Sequence, residues 1–186
     1  MTVHDTSLPG VLVVEPRVFA DARGFFLEQY HAERYAEAGI AAPFVQDNHS
    51  RSARGVVRGL HFQKRHPQGK LVAAVRGTIW DVVVDLRAGS PTFGEWEAFT
   101  LSDEAPRQLW VPPGFAHGFA VLSDQADVVY KCTDVYRPGD EGGVVWDDPA
   151  LAIPWPVDEP LLSDKDQAYP RLDALGADSL PQVAFS

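Results

Sequence analysis

Residues 55–77 read GVVRGLHFQKRHPQGKLVAAVRG, and this stretch decides how the rest of the chain is interpreted. Its apolar segments carry Arg58, His61 and Lys70. The segment between them, 63–69, has the Pro and Gly content of a loop. Two strands joined by that loop would direct His61 and Lys70 into a common space, where a neutral imidazole can accept a proton and an ammonium can stabilise the negative charge left behind. The stretch fits the centre of an enzyme site, and it fits equally a basic β-hairpin whose charges face water.

The composition predicts a single domain over residues 1–186. A chain of 20.4 kDa with 45% hydrophobic residues can bury a sizeable core, which excludes disorder as the default. The formal net charge of −10 argues against a general nucleic-acid or lipid-headgroup binder. An anionic substrate still fits if Arg23, Arg58 and Lys70 gather positive charge locally. We expect no nucleic-acid partner and no membrane partner.

The expected location is the cytoplasm. No apolar run approaches the roughly 18 residues that cross a bilayer. The first ten residues, MTVHDTSLPG, lack the basic start and apolar centre of a signal peptide. The single cysteine, Cys132, excludes an internal disulfide framework.

Short apolar runs separated by turn signals predict a sandwich or small barrel of about ten strands. The segment 31–38, which ends at Gly39, is the best helix candidate in the first two-thirds of the chain. From Asp147 onward, prolines predict an extended C-terminal arm with one turn of helix after Ser163. The predicted strands are 11–14, 25–30, 44–50, 56–63, 70–76, 78–86, 95–101, 109–111, 117–122, 128–133 and 144–146.

Several catalytic motifs are absent from the sequence. There is no G-x-x-x-x-G-K-[ST], no G-x-G-x-x-G and no G-x-S-x-G. Cys132 lies in a predicted strand with no histidine near it in sequence. We therefore expect neither a glycine loop for phosphates nor covalent catalysis.

The segment PGFAH, residues 113–117, resembles half of the metal motif of cupin barrels. The other half would be H-x-H followed by a glutamate, but the corresponding residues are His61, Phe62 and Gln63. A Zn, Fe or Mn site needs three or four donors, so we expect no metal. A hydrogen-bonded histidine at a barrel mouth is the alternative for His117.

Two further patterns have both a structural and a functional interpretation. Tyr130 and Tyr136 share a face only if their strand continues through Asp134. Otherwise, both are amphipathic strand tyrosines with hydrated hydroxyls. Ser163 and Asp166 have the spacing of a capping box that opens a short helix.

Short motifs spread over residues 9–169 resemble one family, the dTDP-4-dehydrorhamnose 3,5-epimerases of deoxysugar biosynthesis. Each motif is weak alone, and their number and order make the match specific. The resemblance implies an all-β fold, a metal-free cupin or jelly-roll double-stranded β-barrel with a few short helices and a C-terminal arm from about residue 147. The motifs are DARGFF (21–26), QDN (46–48), VRGLHFQ (57–63), QGK (68–70), DVVVDLR (81–87), GSPTFG (89–94), GFAHGF (114–119), YKC (130–132) and LSDKD (162–166).

The resemblance implies a role for each matching residue. His61 resembles the catalytic base, and Asp166 resembles the carboxylate that orients it. Tyr130 resembles the acid on the opposite face of the sugar, and Lys70 resembles the residue beside the C4 oxygen. No member of the set is missing, which favours epimerisation at two centres over one. The positions that resemble substrate-binding residues are Arg23, Phe26, Glu28, Gln46, Asn48, Arg58, His117, Tyr136, Glu141 and Lys165.

The implied reaction converts dTDP-4-keto-6-deoxy-D-glucose into dTDP-4-keto-L-rhamnose without a cofactor. The C4 ketone acidifies the hydrogens on C3 and C5, because the carbanion spreads onto the C4 oxygen as an enolate. Histidine, with an ordinary pKa of about 6.5, suits the base, and tyrosine, at about 10, remains protonated as the acid. The product would serve a surface polysaccharide or an antibiotic sugar.

Strict strand alternation puts Arg58 and His61 on opposite faces of one strand. A bulge at Gly59 or a partner subunit must therefore bring them together. The family is dimeric and shares its sites between subunits, so we expect a C2 homodimer with shared sites.

Other functions remain open from the sequence. One is a mono-epimerase that inverts C3 or C5 alone in another dTDP-4-keto-deoxysugar. Another is a metal-dependent cupin such as a dioxygenase or an aldose isomerase, which would need a bound metal. A third is a non-catalytic nucleotide-sugar binder, which would have no use for His61, Tyr130 and Asp166 together.

Overall fold

The computed structural model describes residues 1–183, and most of its regular structure is antiparallel strand. Two short α-helices and three 3₁₀ turns complete it. The helices are α1 (Ala32–Glu37) and α2 (Asp164–Gln167), and the 3₁₀ turns are Pro138–Asp140, Leu172–Ala174 and Ala177–Ser179. The strands are β1 (Thr2–Asp5), β2 (Leu12–Glu15), β3 (Val18–Asp21), β4 (Gly24–Leu27), β5 (Gln46–Ala53), β6 (Val57–Gln63), β7 (Lys70–Arg76), β8 (Thr78–Asp85), β9 (Trp96–Ser102), β10 (Gln108–Val111), β11 (Phe115–Val121), β12 (Gln125–Cys132) and β13 (Glu141–Gly143).

Two antiparallel sheets form the barrel. One has the strand order β1-β2-β10-β7-β12-β5, and the other has the order β13-β6-β11-β8-β9. The main core cluster joins them: Val72 and Leu109 of the first sheet pack with Ile79 and Val121 of the second. A separate hairpin, β3–β4, belongs to neither sheet. This arrangement confirms the predicted all-β jelly-roll class.

Each sheet also has a covered outer face. Segments of the C-terminal arm around Leu151 and Ile153 pack on Phe62 and Val84 of the five-stranded sheet. Tyr35 of α1 packs with Trp110 and others on the six-stranded sheet. The arm thereby extends along the same sheet that carries His61.

Most predicted strands are confirmed within a few residues, but the predicted last strand, 144–146, is wrong. The strand ends at Gly143. Val144 still exchanges backbone hydrogen bonds with Leu60, but the N–H of Val145 turns away to the carbonyl of Pro170. Strands β1 and β3 are additions that the sequence pattern did not predict.

The extent of the domain, 1–186, stays a prediction, and its last three residues lie outside the described part of the chain. Among residues 1–183, no helix is long and apolar enough to span a membrane.

Candidate active site

A cavity of about 360 Å³ opens between the two sheets, within the size range of small-molecule sites. Strands β5, β7 and β12 contribute one wall, and β6 and β11 contribute the other. The lining residues are Gln46, Asn48, Ser50, Arg58, His61, Phe62, Gln63, Gln68, Lys70, His117, Gly118, Phe119, Tyr130, Tyr136, Glu141 and Lys165.

A β-bulge in β6 brings Arg58 and His61 to this cavity. His61 pairs with His117 of β11, but Arg58 pairs with Phe119, so β6 has one more residue than its partner over this interval. The bulge contains Gly59, whose φ is +128° and whose added Cβ would lie 2.5 Å from the Cα of Gly118. Glycine is therefore required there. The predicted bulge at Gly59 is confirmed, and one chain suffices to bring both side chains together.

His61 and Asp166 form a close pair. His61 Nε2 lies 2.6 Å from Asp166 Oδ1. Burial alone would raise the pKa of Asp166, but hydrogen bonds from His61 and Ser163 outweigh it and the net pKa is lowered. The carboxylate can then only accept, which assigns the ring proton to Nε2 and leaves Nδ1 as the basic nitrogen. No hydrogen bond to Nδ1 is formed by any residue in 1–183.

The short helix α2 places Asp166. Its N-cap is Ser163, whose hydroxyl accepts the N–H of Asp166 at 3.1 Å. The capping interpretation of this segment is therefore confirmed for Ser163, whereas the carboxylate of Asp166 turns to His61.

Lys70 and Tyr130 lie on the opposite wall. Lys70 pairs with Cys132 across β7–β12, and Tyr130 precedes Cys132 by two residues, so Lys70 and Tyr130 share one face of the sheet. Burial lowers the pKa of Lys70 and raises that of Tyr130. The Lys70 ammonium has no hydrogen-bond or ion-pair partner within residues 1–183, so it is free to meet a ligand.

His117 neighbours His61 in the five-stranded sheet and is held by Asp81. Its Nε2 lies 2.9 Å from both carboxylate oxygens of the fully buried Asp81. The interpretation of His117 as a hydrogen-bonded histidine at the barrel mouth is confirmed. Within residues 1–183, no three His, Cys, Asp or Glu side chains are grouped to hold a metal ion.

Tyr136, Glu141 and Lys165 form a linked group at the rim of the cavity. Glu141 accepts hydrogen bonds from Lys165 Nζ at 2.9 Å and from the Tyr136 hydroxyl at 3.0 Å. Burial alone would raise the pKa of Glu141, but these bonds lower it. Strand β12 ends at Cys132, so Tyr136 reaches the cavity through the following turn, where its N–H bonds Gln46 Oε1 at 2.8 Å. The strand does not continue through Asp134.

Three predicted substrate-binding residues, Arg23, Phe26 and Glu28, lie outside this cavity in their own chain, and their roles stay predictions. Arg23 and Phe26 are on the β3–β4 hairpin, and Glu28 follows it. Arg23 is ion-paired with Asp21, with a side chain 90% exposed, and Glu28 is paired with Arg34. Phe26 is 68% exposed. The physical reason is that the hairpin belongs to neither sheet and projects from the barrel.

Two serines of β5 near Asn48, Ser50 and Ser52, belong to the site although no sequence motif pointed to them. Ser50 lines the cavity, and its buried hydroxyl has no hydrogen-bond partner in the described chain. Ser52 accepts a hydrogen bond from Arg58 Nε at 3.0 Å. Ser50 and Ser52 lie on the same face of β5 as Gln46 and Asn48, because residues two apart in a strand point to the same side. This period of two could have identified them from the sequence.

The jelly-roll barrel, with ionisable groups suited to acid–base chemistry in its mouth, defines the class of cupin-like barrels. A protein-family model described as dTDP-4-dehydrorhamnose 3,5-epimerase matches residues 5–174, and the chain belongs to this family.

Similar proteins agree with this assignment. A dTDP-4-dehydrorhamnose 3,5-epimerase of Pseudomonas aeruginosa is 58% identical over 163 residues, which cover 87% of this chain and 90% of that protein. A solved dTDP-6-deoxy-D-glucose-3,5-epimerase of Legionella pneumophila, in complex with dTDP-4-keto-L-rhamnose, is 48% identical with a TM-score of 0.96, covering 100% of this chain and 98% of that one. A dTDP-4-dehydrorhamnose 3-epimerase of Streptomyces niveus is 46% identical over 187 residues, 99% of this chain and 90% of that protein.

Proposed function

We propose that this protein is a dTDP-4-dehydrorhamnose 3,5-epimerase, an isomerase that converts dTDP-4-keto-6-deoxy-D-glucose into dTDP-4-keto-L-rhamnose without a cofactor. The observation that carries the proposal is that His61, which lies 2.6 Å from Asp166, lines the same cavity as Tyr130 and Lys70 in a chain of this family. The reaction needs a base, an acid and a cation near the C4 oxygen, and the cavity holds one group for each.

The base is His61. Its Nδ1 removes the hydrogen from C3 or C5, and Asp166 stabilises the imidazolium that forms. Because the cavity lies between the two sheets, His61 of β6 and Tyr130 of β12 approach it from different walls. Inversion requires this arrangement, since the proton must leave one face of the sugar and return to the other.

The acid and the electrostatic group lie together on the other wall. Burial raises the pKa of Tyr130, so the phenol keeps the proton that it must donate to the enolate. Lys70 places a positive charge in a partly dry site, where it stabilises the C4 oxyanion. Comparable donors in oxyanion sites contribute about 3–4 kcal/mol.

Substrate binding falls to the remaining polar residues of the cavity. Arg58 binds the diphosphate, because its planar guanidinium matches phosphate oxygens. Gln46 and Asn48 line the wall that carries Lys70 and Tyr130, and His117 lines the opposite wall. Tyr136, Glu141 and Lys165 line the rim, where the nucleotide leaves the cavity.

A solution experiment tests the reaction. The protein is incubated with dTDP-4-keto-6-deoxy-D-glucose in D₂O, and NMR follows the hydrogens on C3 and C5. We expect deuterium at both carbons and none at either with His61→Ala. Exchange at neither carbon would contradict the proposal. Exchange at one carbon would make the protein a mono-epimerase, as the name of the Streptomyces niveus relative describes.

Two further functions can be distinguished with the same assay. A metal-dependent cupin would lose activity after dialysis against a chelator and regain it with added metal. If the protein were a non-catalytic nucleotide-sugar binder, the wild type would bind dTDP but exchange no substrate hydrogen, and His61→Ala would bind dTDP equally well.

The working form that we propose is a C2 homodimer with shared sites. The exposed hairpin that carries Arg23 and Phe26 would cover the cavity of the partner subunit, which explains how both serve a site that they do not reach in their own chain. Phe19 and Phe25 give the hairpin the apolar surface that such docking needs. The cytoplasmic location also stays a prediction.

Mixing two inactive variants tests the shared site. Arg23→Ala and His61→Ala are co-refolded, and exchange activity is measured. A shared site predicts recovery of about a quarter of wild-type sites, because half of the dimers are mixed and each holds one intact site. No recovery from mixed dimers, or a monomer in light scattering, would contradict the arrangement.

A further inference from the structure

The ring of Tyr169 lies against the imidazole of His61. The two ring centroids are 5.6 Å apart and the planes are inclined by 63°. Tyr169 follows Asp166 by three residues and is half-buried. It is not among the residues that line the cavity, so its contact with His61 comes from outside the space that the substrate would occupy.

Gly143 leaves the space in which this ring lies. Gly143 of β13 pairs with His61 of β6, and a Cβ added to it would lie 2.7 Å from three ring carbons of Tyr169. The chain after the tyrosine is fixed as well, because Pro170 accepts the N–H of Val145 at 2.9 Å. The ring is therefore held between strand β13 and the imidazole.

The phenol remains neutral in this position. Burial raises the pKa of Tyr169, and the carboxylates of Glu141 and Asp166 raise it further. Because it carries no negative charge, Tyr169 does not form an ion pair with the imidazolium of His61 in place of Asp166. Aromatic rings at centroid separations of about 4.5–7 Å favour defined mutual orientations, so the ring acts on His61 by packing.

We propose that Tyr169 is a positioning residue for the catalytic base. Its ring, held against Gly143, restricts the imidazole of His61 to the orientation in which Nε2 meets Asp166 and Nδ1 is left to take the substrate proton. This inference rests on the proposed function, because proton removal from the sugar is the reaction that it affects.

Substitutions on both sides of the contact test this role. Tyr169→Leu removes the ring. We expect kcat for C3 and C5 exchange to fall about 10- to 100-fold while KM changes by less than about twofold, because displacing a catalytic group by about 1 Å can lower the rate by about 100-fold. Tyr169→Phe keeps the ring and should keep the wild-type rate. Unchanged kcat in Tyr169→Leu would overturn the proposal.

Gly143→Ala reaches the same ring from the strand. The added methyl group displaces the ring, so kcat should fall here as well. Gly139→Ala is the matched control, because a Cβ there meets no atom within 4 Å. In the double variant Gly143→Ala with Tyr169→Leu, the methyl group no longer meets a ring, so the rate should equal that of Tyr169→Leu alone. A further loss in the double variant would contradict action through the ring.

A spectroscopic measurement separates this inference from the proposed function. The low-field proton signal of His61 Nε2–H, assigned by its loss in His61→Ala, needs no substrate. We expect its exchange with water to become faster in Tyr169→Leu and to stay unchanged in Tyr169→Phe. If the wild-type protein exchanges no substrate hydrogen, the proposed function fails and this signal alone decides the role of Tyr169. An unchanged signal in Tyr169→Leu would overturn that role.

Discussion

Asp166 Oδ1 lies 2.6 Å from His61 Nε2, although the two residues are 105 positions apart and belong to the C-terminal arm and strand β6. Asp166 is 3% exposed, so the pair works in a site with little water. In such surroundings the carboxylate fixes the tautomer and the orientation of the imidazole.

Asp166→Asn should therefore slow proton removal. The amide has no charge to stabilise the imidazolium, and we expect kcat for exchange at C3 and C5 to fall about 10²- to 10⁴-fold, the usual share of acid–base groups. NMR in D₂O measures both rates. Asp164→Asn, an exposed neighbour on α2, is the control and should behave as wild type. Equal rates for Asp166→Asn and the control would contradict the role.

Tyr130→Phe should separate proton removal from inversion. The substitution removes the phenol proton but leaves His61 in place, so deuterium should still enter the substrate while the inverted product forms at least 10²-fold more slowly. NMR distinguishes labelled substrate from labelled product. Tyr30→Phe, which changes a tyrosine outside the cavity, is the control. Normal inversion by Tyr130→Phe would mean that another group is the acid.

The alkaline limb of the pH profile should belong to Lys70. Burial lowers the pKa of this amine below its usual value of about 10.4, whereas burial raises that of Tyr130 above about 10. As pH rises, the Lys70 ammonium loses its proton, and kcat should fall with a midpoint below the ordinary lysine pKa of about 10.4. Lys70→Arg keeps the positive charge at all accessible pH values, so the midpoint of the alkaline limb should shift to higher pH or the limb should disappear. The same limb in Lys70→Arg and wild type would contradict this assignment.

The positions of most strands could be predicted from the sequence, because turn residues and apolar runs are local signals. The bulge at Gly59 was also predictable from the sequence. Strict alternation would put Arg58 and His61 on opposite faces of one strand, so a shared site required either a bulge or a partner subunit. The local pattern alone could not place Asp166 beside His61, since the spacing of Ser163 and Asp166 is explained as well by a helix cap, and only the family resemblance implied that partnership. Burial separates the two interpretations, and burial depends on the whole fold.

Other parts of the site depend on long-range packing in the same way. Asp81 lies in an apolar run and gives no sign that it will hold His117. Tyr169 follows the last motif, and nothing in the local pattern singles it out. The exposed position of Arg23 was not foreseen either, because the motif that contains it does not say which subunit it serves.

Ser52 should act on binding through Arg58. Its Oγ accepts from Arg58 Nε at 3.0 Å, which leaves both terminal nitrogens of the guanidinium for the diphosphate. Ser52→Ala removes one hydrogen bond worth about 1 kcal/mol, so KM should rise about threefold to tenfold with kcat within about twofold. Ser52→Thr should restore the wild-type KM. A fall in kcat at constant KM would place Ser52 in the chemistry and contradict its role in binding.

Asp140 ties the loop after β6 to the turn before Glu141. It is buried and accepts the backbone N–H groups of Arg65 and His66 at 3.0 and 2.8 Å. Burial alone would raise the pKa of Asp140, but these bonds and those from the two side chains lower it well below its usual range.

Asp140→Asn should reduce stability in a pH-dependent way. An amide cannot accept all of these bonds, so the free energy of unfolding at pH 7 should fall by about 1–3 kcal/mol. Since the pKa of Asp140 is lower in the folded chain than in the unfolded one, its contribution is complete above about pH 4 and is lost as pH falls towards the folded value. Urea unfolding at each pH gives the free energy of unfolding of both proteins. The loss of this free energy in Asp140→Asn relative to wild type should thus be smaller at pH 3 than at pH 7. Asp158→Asn, at an exposed carboxylate, should show no difference at either pH. A difference for Asp140→Asn that is the same at both pH values would contradict a charged Asp140.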